Sequence, residues 1–252
     1  MKALITGASG GIGRDMAIVL GNMGYNLILV ARNKSELDKL KEEIATECIV
    51  IATDLSIPQN CYDLYQKTKS ENIDILINNA GYGIYGYFKD TSLDSDLNMI
   101  SLNVNAVHIL TKLFLKDFIE KDSGRILNVS SSAGLTIGGP LLSSYYASKA
   151  YVSSLTRGIY GELRAIGSKV TISQLCPGPV STGFNKRAGV SGFATTPLES
   201  RFVAEYAIKK MLKGKLTIIP GFTMKMAVFF SKFIGEKTML RTLMDFQKGK
   251  IK

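Results

Sequence analysis

Eight residues near the N-terminus constrain this chain more than any other feature: Thr6-Gly7-Ala8-Ser9-Gly10-Gly11-Ile12-Gly13. They follow a short apolar run, Lys2–Thr6, and open an amphipathic stretch, Gly13–Gly24. A strand that turns through glycines into a helix presents backbone N–H groups at the positive end of that helix, with no side chains to hold a ligand away. A pyrophosphate needs such a cradle, so the segment reads as a dinucleotide site. Gly7, Gly11 and Gly13 would supply the tight turn, the close approach and the helix packing. Ser9 and Ile12 are counted with them as cofactor-binding residues.

The remaining pattern extends that beginning into a fold. Apolar runs recur at Asn26–Val30, Ile49–Ala52, Ile73–Asn78, Arg125–Val129, Lys169–Leu175 and Lys215–Ile219. Rich in Ile, Leu and Val with little polar alternation, they read as strands covered on both faces. Helix-length segments such as Ser35–Thr46, Leu93–Glu120 and Tyr145–Ile166 lie between them. Strand–helix–strand repetition predicts parallel pairing with right-handed crossovers. The expectation is a single α/β domain over 1–252, a Rossmann-type doubly wound parallel sheet of about seven strands with helices on both faces. Thr196-Pro197-Leu198-Glu199 reads as a capping box that starts a helix, and 184–200 as a lid over a site.

Composition narrows the chemistry. Cys48, Cys61 and Cys176 are an odd, widely spaced set that fits neither a disulfide framework nor a metal cluster, and this reads as a reduced, cytoplasmic setting. The lone histidine, His108, argues against metal or histidine-triad chemistry and is expected to be a packed helix residue. The net charge of +10 is uneven: from Lys209 to Lys252 eleven Lys or Arg face two acids, leaving +1 for residues 1–208. A nucleic-acid partner is therefore not indicated. Residues 221–252 form a basic amphipathic tail whose apolar residues include Phe222, Met226, Phe229, Phe230, Phe233, Leu240, Leu243, Met244 and Phe246, and Gly235 argues against one long helix. Closure of a substrate pocket or a subunit interface is the favoured role, and a resting place on an anionic membrane the alternative.

Two side-chain constellations carry chemistry. At the end of the second strand, where an NAD site usually places an acid for the ribose hydroxyls, stands Ala31, followed by Arg32. A guanidinium can bind a 2′-phosphate bidentately, so the reading is NADP(H), with help expected from Asn33 or Lys34. Tyr145 and Lys149 stand at i, i+4 on one helix face, after the strand Arg125–Val129 and the run Ser130-Ser131-Ser132. The same spacing occurs at Tyr65 and Lys69, Tyr85 and Lys89, and Tyr206 and Lys210, so context alone separates Tyr145.

With these residues together, the chain resembles the short-chain dehydrogenase/reductase family over residues 1 to about 220. The resemblance rests on the glycine loop, Tyr145-x-x-x-Lys149, Asn78-Asn79-Ala80-Gly81, Asn103, the strand-end serines, and Pro177-Gly178 followed by Thr182. It implies hydride transfer between NADP(H) and a carbonyl or secondary alcohol through Asn103, Ser131, Tyr145 and Lys149. Tyr145 would be the general acid–base, and Lys149 would lower its pKa and hold the nicotinamide ribose. Ser131 would orient the substrate oxygen, and Asn103 would hold a water linking Lys149 to solvent. The family's usual spacing of thirteen residues before the tyrosine selects Ser132, whereas alignment on Ser-Ser-x-Ala-Gly selects Ser131 and is preferred.

The resemblance further implies cofactor contacts at Asp54, Leu55, Asn78, Asn79, Ala80, Gly81, Pro177, Gly178, Val180 and Thr182, and a homodimer or homotetramer. Gly10 stands where many NADP-binding members carry Arg or Lys. Tyr82, Tyr85, Tyr87, Phe88, Leu141, Phe184 and Phe193 suggest a lipophilic small-molecule substrate. The alternatives are a 3-ketoacyl or other lipid reductase at a membrane surface, and a non-catalytic NADP-sensing protein of the same fold.

Overall fold

A computed structural model of the chain describes residues 1–190 and 196–248. The chain runs through β1 (Lys2–Thr6), α1 (Gly11–Asn22), β2 (Asn26–Ala31), α2 (Lys34–Glu43), β3 (Cys48–Ala52), α3 (Pro58–Thr68) and β4 (Ile75–Asn78). A long helical stretch follows as α4 (Leu93–Ile100), a π-helical segment (Ser101–Ala106) and α5 (Val107–Glu120), then β5 (Arg125–Val129), α6 (Ser143–Ala165) and β6 (Thr171–Leu175). It ends with β7 (Val180–Ser181), α7 (Phe184–Ala188), β8 (Leu198–Glu199), α8 (Ser200–Leu212), β9 (Thr217–Ile218), α9 (Phe222–Ser231) and α10 (Glu236–Lys248).

Seven strands form one sheet in the order β3-β2-β1-β4-β5-β6-β9, each neighbouring pair parallel. This is the doubly wound α/β architecture the apolar runs predict. Their continuous hydrophobicity has a plain cause, because successive residues of a strand point to opposite faces and both faces are covered. Ala3, Ile5, Leu27, Leu29, Ile75, Ile77 and Leu127 enter one core with Leu20 of α1, Leu37 of α2 and Val203 of α8. Leu4, Ile28, Leu76, Ile126 and Ile172 enter the other with Leu64 of α3, Phe114 of α5 and Leu163 of α6. Each fully buried Leu, Ile, Val or Phe among them contributes about 1.5–3 kcal/mol.

The chain steps outward from β1 through β2 to β3 and then returns to β4 on the other side of β1. That reversal leaves a crevice beyond the carboxyl ends of β1 and β4, where ligands bind in sheets of this kind. The two ends are tied together: Thr6 Oγ1 accepts from the backbone N–H of Asn79 and Ala80 at 3.0 and 3.1 Å, and Asn79 Nδ2 donates to the Thr6 carbonyl at 3.0 Å.

Two sequence expectations are corrected. Thr196-Pro197-Leu198-Glu199 does not open a helix. Leu198 and Glu199 pair with Val180 and Ser181, Leu198 N donates to the Pro179 carbonyl at 3.0 Å, and α8 begins at Ser200 without a side-chain cap. The pairing holds Leu198 and Glu199 in extended backbone, whereas a capping box would need them helical. Leu93–Glu120 is not one regular helix, because the π-helical segment interrupts it and turns Asn103 inward. The tail folds as two helices on either side of 232–235, as Gly235 predicts. No helix among the described residues is long and apolar enough to cross a membrane. His108 is half-buried in α5, its Nδ1 2.7 Å from the Tyr151 hydroxyl.

Candidate functional site

A cleft of about 820 Å³ opens at the carboxyl end of the sheet. Its floor is the glycine loop. Gly11 has φ +54, and a Cβ there would press on Thr182 at 3.1 Å, so the position needs glycine on both counts. A Cβ on Gly13 would collide with the Gly7 carbonyl and Asn79 Nδ2, which is how closely α1 packs on the strand ends. The first turn of α1 has no acidic residue and no side-chain cap. Its N–H groups are left for an anion, and the residues present fit the pyrophosphate of a dinucleotide.

Among the residues expected to bind cofactor, Gly7, Ser9, Gly11, Ile12, Arg32, Asp54, Leu55, Asn79, Ala80, Gly81, Pro177, Gly178, Val180 and Thr182 all line the cleft. Gly13 lies behind the wall as a packing residue. Asn78, named with its neighbours, does not reach the cleft. Its Nδ2 donates to Asn128 Oδ1 at 2.9 Å and to Thr111 Oγ1 at 3.0 Å, in a buried chain that Asn128 Nδ2 continues to Thr156 Oγ1 at 3.0 Å. That chain joins β4, α5, β5 and α6 by hydrogen bonds inside an apolar layer, with Asn78 Oδ1 buried and unpartnered among the described residues.

Arg32 is exposed at the cleft edge with its Nη1 3.8 Å from Asp54 Oδ2, a contact that leaves the guanidinium available to an anion. Asn33 caps α2 by accepting from Glu36 N at 3.4 Å, and Glu36 also lines the cleft. Lys34 is engaged with Asp38 at 2.7 Å and is not part of the wall.

Tyr145 and Lys149 sit on the inward face of α6, both buried. Lys149 Nζ donates to the Val129 carbonyl at 2.9 Å and lies 5.9 Å from the centroid of the Tyr145 ring. Burial pushes the Tyr145 hydroxyl up to about 12, with the facing Ser131 hydroxyl working the other way. Burial pulls Lys149 down to about 8, with Cys176 opposing. Lys149 is expected to lower Tyr145, yet in this arrangement desolvation dominates and keeps the phenol protonated.

The three serines separate cleanly. Ser130 is buried and bonds the Lys149 carbonyl and Ser153 Oγ, each at 2.8 Å. Ser132 opens a 3-10 turn, its N–H donating to the Pro177 carbonyl at 2.8 Å. Ser131 is the one whose hydroxyl faces Tyr145. Asn103 is fully buried outside the cleft wall: its Nδ2 donates to the Tyr82 carbonyl at 2.9 Å and to Ser148 Oγ at 3.1 Å, and its Oδ1 accepts from Tyr82 N at 3.1 Å. Between Asn103 and Lys149 passes Gly81, where a Cβ would lie 2.8 Å from Asn103 Oδ1 and 3.3 Å from Lys149 Nζ.

The apolar wall differs from the expected one. Tyr82 and Phe184 line the cleft, but Tyr85, Tyr87, Phe88 and Leu141 do not, and Tyr87 and Phe88 are 50% and 71% exposed. Phe193 lies outside the described residues, as do all of residues 191–195 of the expected lid. The wall comes from the tail instead: Met224, Val228, Phe230, Ile234, Met239 and Leu243 face the cleft. A Cβ on Gly178 would run into Met224, so α9 seats directly on the Pro177-Gly178 turn. Tyr146 and Gln247 also line the cleft and had no signal in the sequence.

The sequence pattern of the family described as short chain dehydrogenase matches residues 1–190. The very-long-chain 3-oxoacyl-CoA reductase of Anas platyrhynchos is 34% identical over 204 residues, 77% of this chain and 64% of that protein. The chain thus spans under two thirds of the length of that curated relative. Among solved structures, a short-chain dehydrogenase from Sphingobium yanoikuyae in complex with NADPH aligns with TM-score 0.82 and 27% identity, covering 94% of each chain. A short chain dehydrogenase/reductase from Burkholderia phymatum in complex with NAD aligns with TM-score 0.82 and 26% identity, over 91% of this chain and 92% of that one. Matched in sequence pattern over residues 1–190 and in overall fold, the chain belongs to the short-chain dehydrogenase/reductase family.

Proposed function

We propose that this chain is an NADP(H)-dependent oxidoreductase acting on the carbonyl or secondary alcohol of a lipophilic small molecule. The observation that carries the reading is the meeting of Tyr145, Ser131 and Lys149 in a cleft that continues, on one side, into the glycine cradle and, on the other, into an apolar wall. A nicotinamide dinucleotide bound in the cradle would supply or accept the hydride.

The chain's own residues do the rest. Ser131 and Tyr145 hold the substrate oxygen between two hydroxyls. Tyr145, kept neutral by burial, holds the proton that the reduced oxygen takes up. Lys149 brings a positive charge beneath the phenol and stabilises it as the proton leaves. Asn103, its side chain fully engaged, fixes the backbone of Tyr82 and the turn at Gly81 beside Lys149.

Preference for the 2′-phosphorylated cofactor rests on Ala31 in place of an acid and on the exposed Arg32. A lipophilic substrate is favoured by Met224, Val228, Met239 and Leu243 in the wall and by the name of the 34% identical relative, a very-long-chain 3-oxoacyl-CoA reductase. The test is NADPH consumption by the purified chain across ketones and 3-oxoacyl thioesters of increasing length. The expected result is kcat/KM that climbs with apolar length. An absence of turnover with every carbonyl would contradict the assignment.

A further inference from the structure

A helix packed on a protein ordinarily buries its apolar stripe and shows its charges to water. α9 buries one apolar side and exposes another. Its inward side, through Met224 and Val228, lines the cleft. Its outward side carries Phe222, Met226, Phe229 and, just past the helix end, Phe233, spaced so that they form one stripe. Phe222, Phe229 and Phe233 are 77%, 51% and 74% exposed. The Phe229 ring packs edge-on against Phe230 at 5.5 Å and Phe233 at 5.4 Å, making the stripe one aromatic patch. Phe230 also borders the cleft, so the patch runs to the cleft mouth.

Beside the stripe, three or four positions from its members, stand Lys225 and Lys232, both exposed and neither in an ion pair with another described residue. Scattered exposed apolar residues need no explanation, but a contiguous aromatic patch rimmed by cations marks an interaction surface. A second copy of this chain is a poor occupant, because a two-fold pairing of the face would set lysines against lysines. An anionic bilayer satisfies both halves at once: aromatic rings seat among the headgroups and cations meet lipid phosphates.

We propose that the outward face of α9 docks on an anionic lipid surface, with the cleft opening at the membrane. The docking does not depend on the reaction assigned above. The test is flotation of the full chain with vesicles of phosphatidylcholine alone or with added phosphatidylglycerol, with Phe229→Ser/Phe233→Ser and Lys225→Ala/Lys232→Ala compared. Melting temperature and light scattering serve as controls on folding and assembly. The expected result is binding to anionic but not neutral vesicles, weakened by salt. The lysine pair should lose about thirtyfold, roughly fivefold per cation, and the phenylalanine pair should bind weakly with its fold intact. Failure of the wild type to bind anionic vesicles, or equal binding by the phenylalanine pair, would overturn the proposal. So would a phenylalanine pair whose only change is a halved molecular mass, which would make this face a subunit interface.

Discussion

Gln247 Nε2 donates a hydrogen bond to the Tyr146 hydroxyl at 3.0 Å, across 101 positions of sequence. The Gln247 carbonyl accepts from the Tyr85 hydroxyl, also at 3.0 Å. One buried residue at the end of α10 is thus held by the loop before α4 and by the neighbour of Tyr145. Through this latch α10 keeps Met239 and Leu243 against the cleft. Gln247 Oε1 is buried with no partner among the described residues.

Replacing that latch should loosen the wall without touching the chemistry. Gln247→Leu leaves the buried Tyr146 hydroxyl unpaired, at a cost of about 1–3 kcal/mol. The melting temperature should fall by several degrees and KM for bulky ketones should rise, while kcat for a small ketone stays near wild type. Calorimetry and steady-state kinetics check both, and an unchanged melting temperature would remove the latch from the account.

Cofactor preference should respond to Arg32 and Gly10 in opposite directions. Arg32→Ala should weaken NADPH by roughly 1.5–3 kcal/mol, a charge-assisted hydrogen bond's contribution, and leave NADH nearly unaffected. Gly10 has extended backbone (φ 179) and open space around a Cβ, so an arginine fits there without strain. Gly10→Arg should tighten NADPH relative to NADH. Titration of both cofactors decides, and equal losses for both in Arg32→Ala would mean that the arginine only supports its loop.

The pH dependence should follow Lys149. Burial holds Lys149 near a pKa of about 8 and pushes Tyr145 up to about 12. Tyr145 therefore keeps its proton through the neutral range, and the charge lost first as pH rises is the Lys149 cation. Carbonyl reduction, read as kcat/KM, should fall as pH passes about 8. The stability sign is separate: a depressed lysine pKa means that the unfolded chain binds more protons between about 8 and its usual value near 10.4. Lys149→Met should thus be the more stable protein near neutrality and lose that advantage in alkali. A kcat/KM that climbs from pH 8 to 10 would contradict this reading.

What the sequence made legible was local. Two covered sheet faces leave an unbroken apolar run, so the seven strands of the large sheet, from Lys2–Thr6 to Thr217–Ile218, could be seen while the short pair β7 and β8 could not, and the glycine loop carries its reason within eight residues. The pair Tyr145 and Lys149 is one helical turn. What stayed hidden depends on contacts distant in sequence. Nothing around Asn103 signals the π-helical turn that aims it at Tyr82, and nothing near Gln247 signals Tyr146. Asn78 and Asn79 are adjacent, yet strand alternation sends one into the sheet's polar chain and the other to the cleft. The tail's composition could not divide its apolar residues, because Met224 and Phe229 differ only in which side of α9 they occupy. The capping box at Thr196 failed for a related reason, since pairing with Val180 and Ser181 holds Leu198 and Glu199 in extended backbone.

The central claim is that the Tyr145 hydroxyl moves the proton in a carbonyl reduction. Tyr145→Phe removes that hydroxyl and keeps the ring that packs 5.3 Å from Phe184, so the cleft should keep its shape. With the best ketone of the panel, kcat for NADPH oxidation should fall by about 10²–10⁴, while the NADPH dissociation constant stays at the wild-type value. A Tyr145→Phe protein that turns over at the wild-type rate would contradict the account.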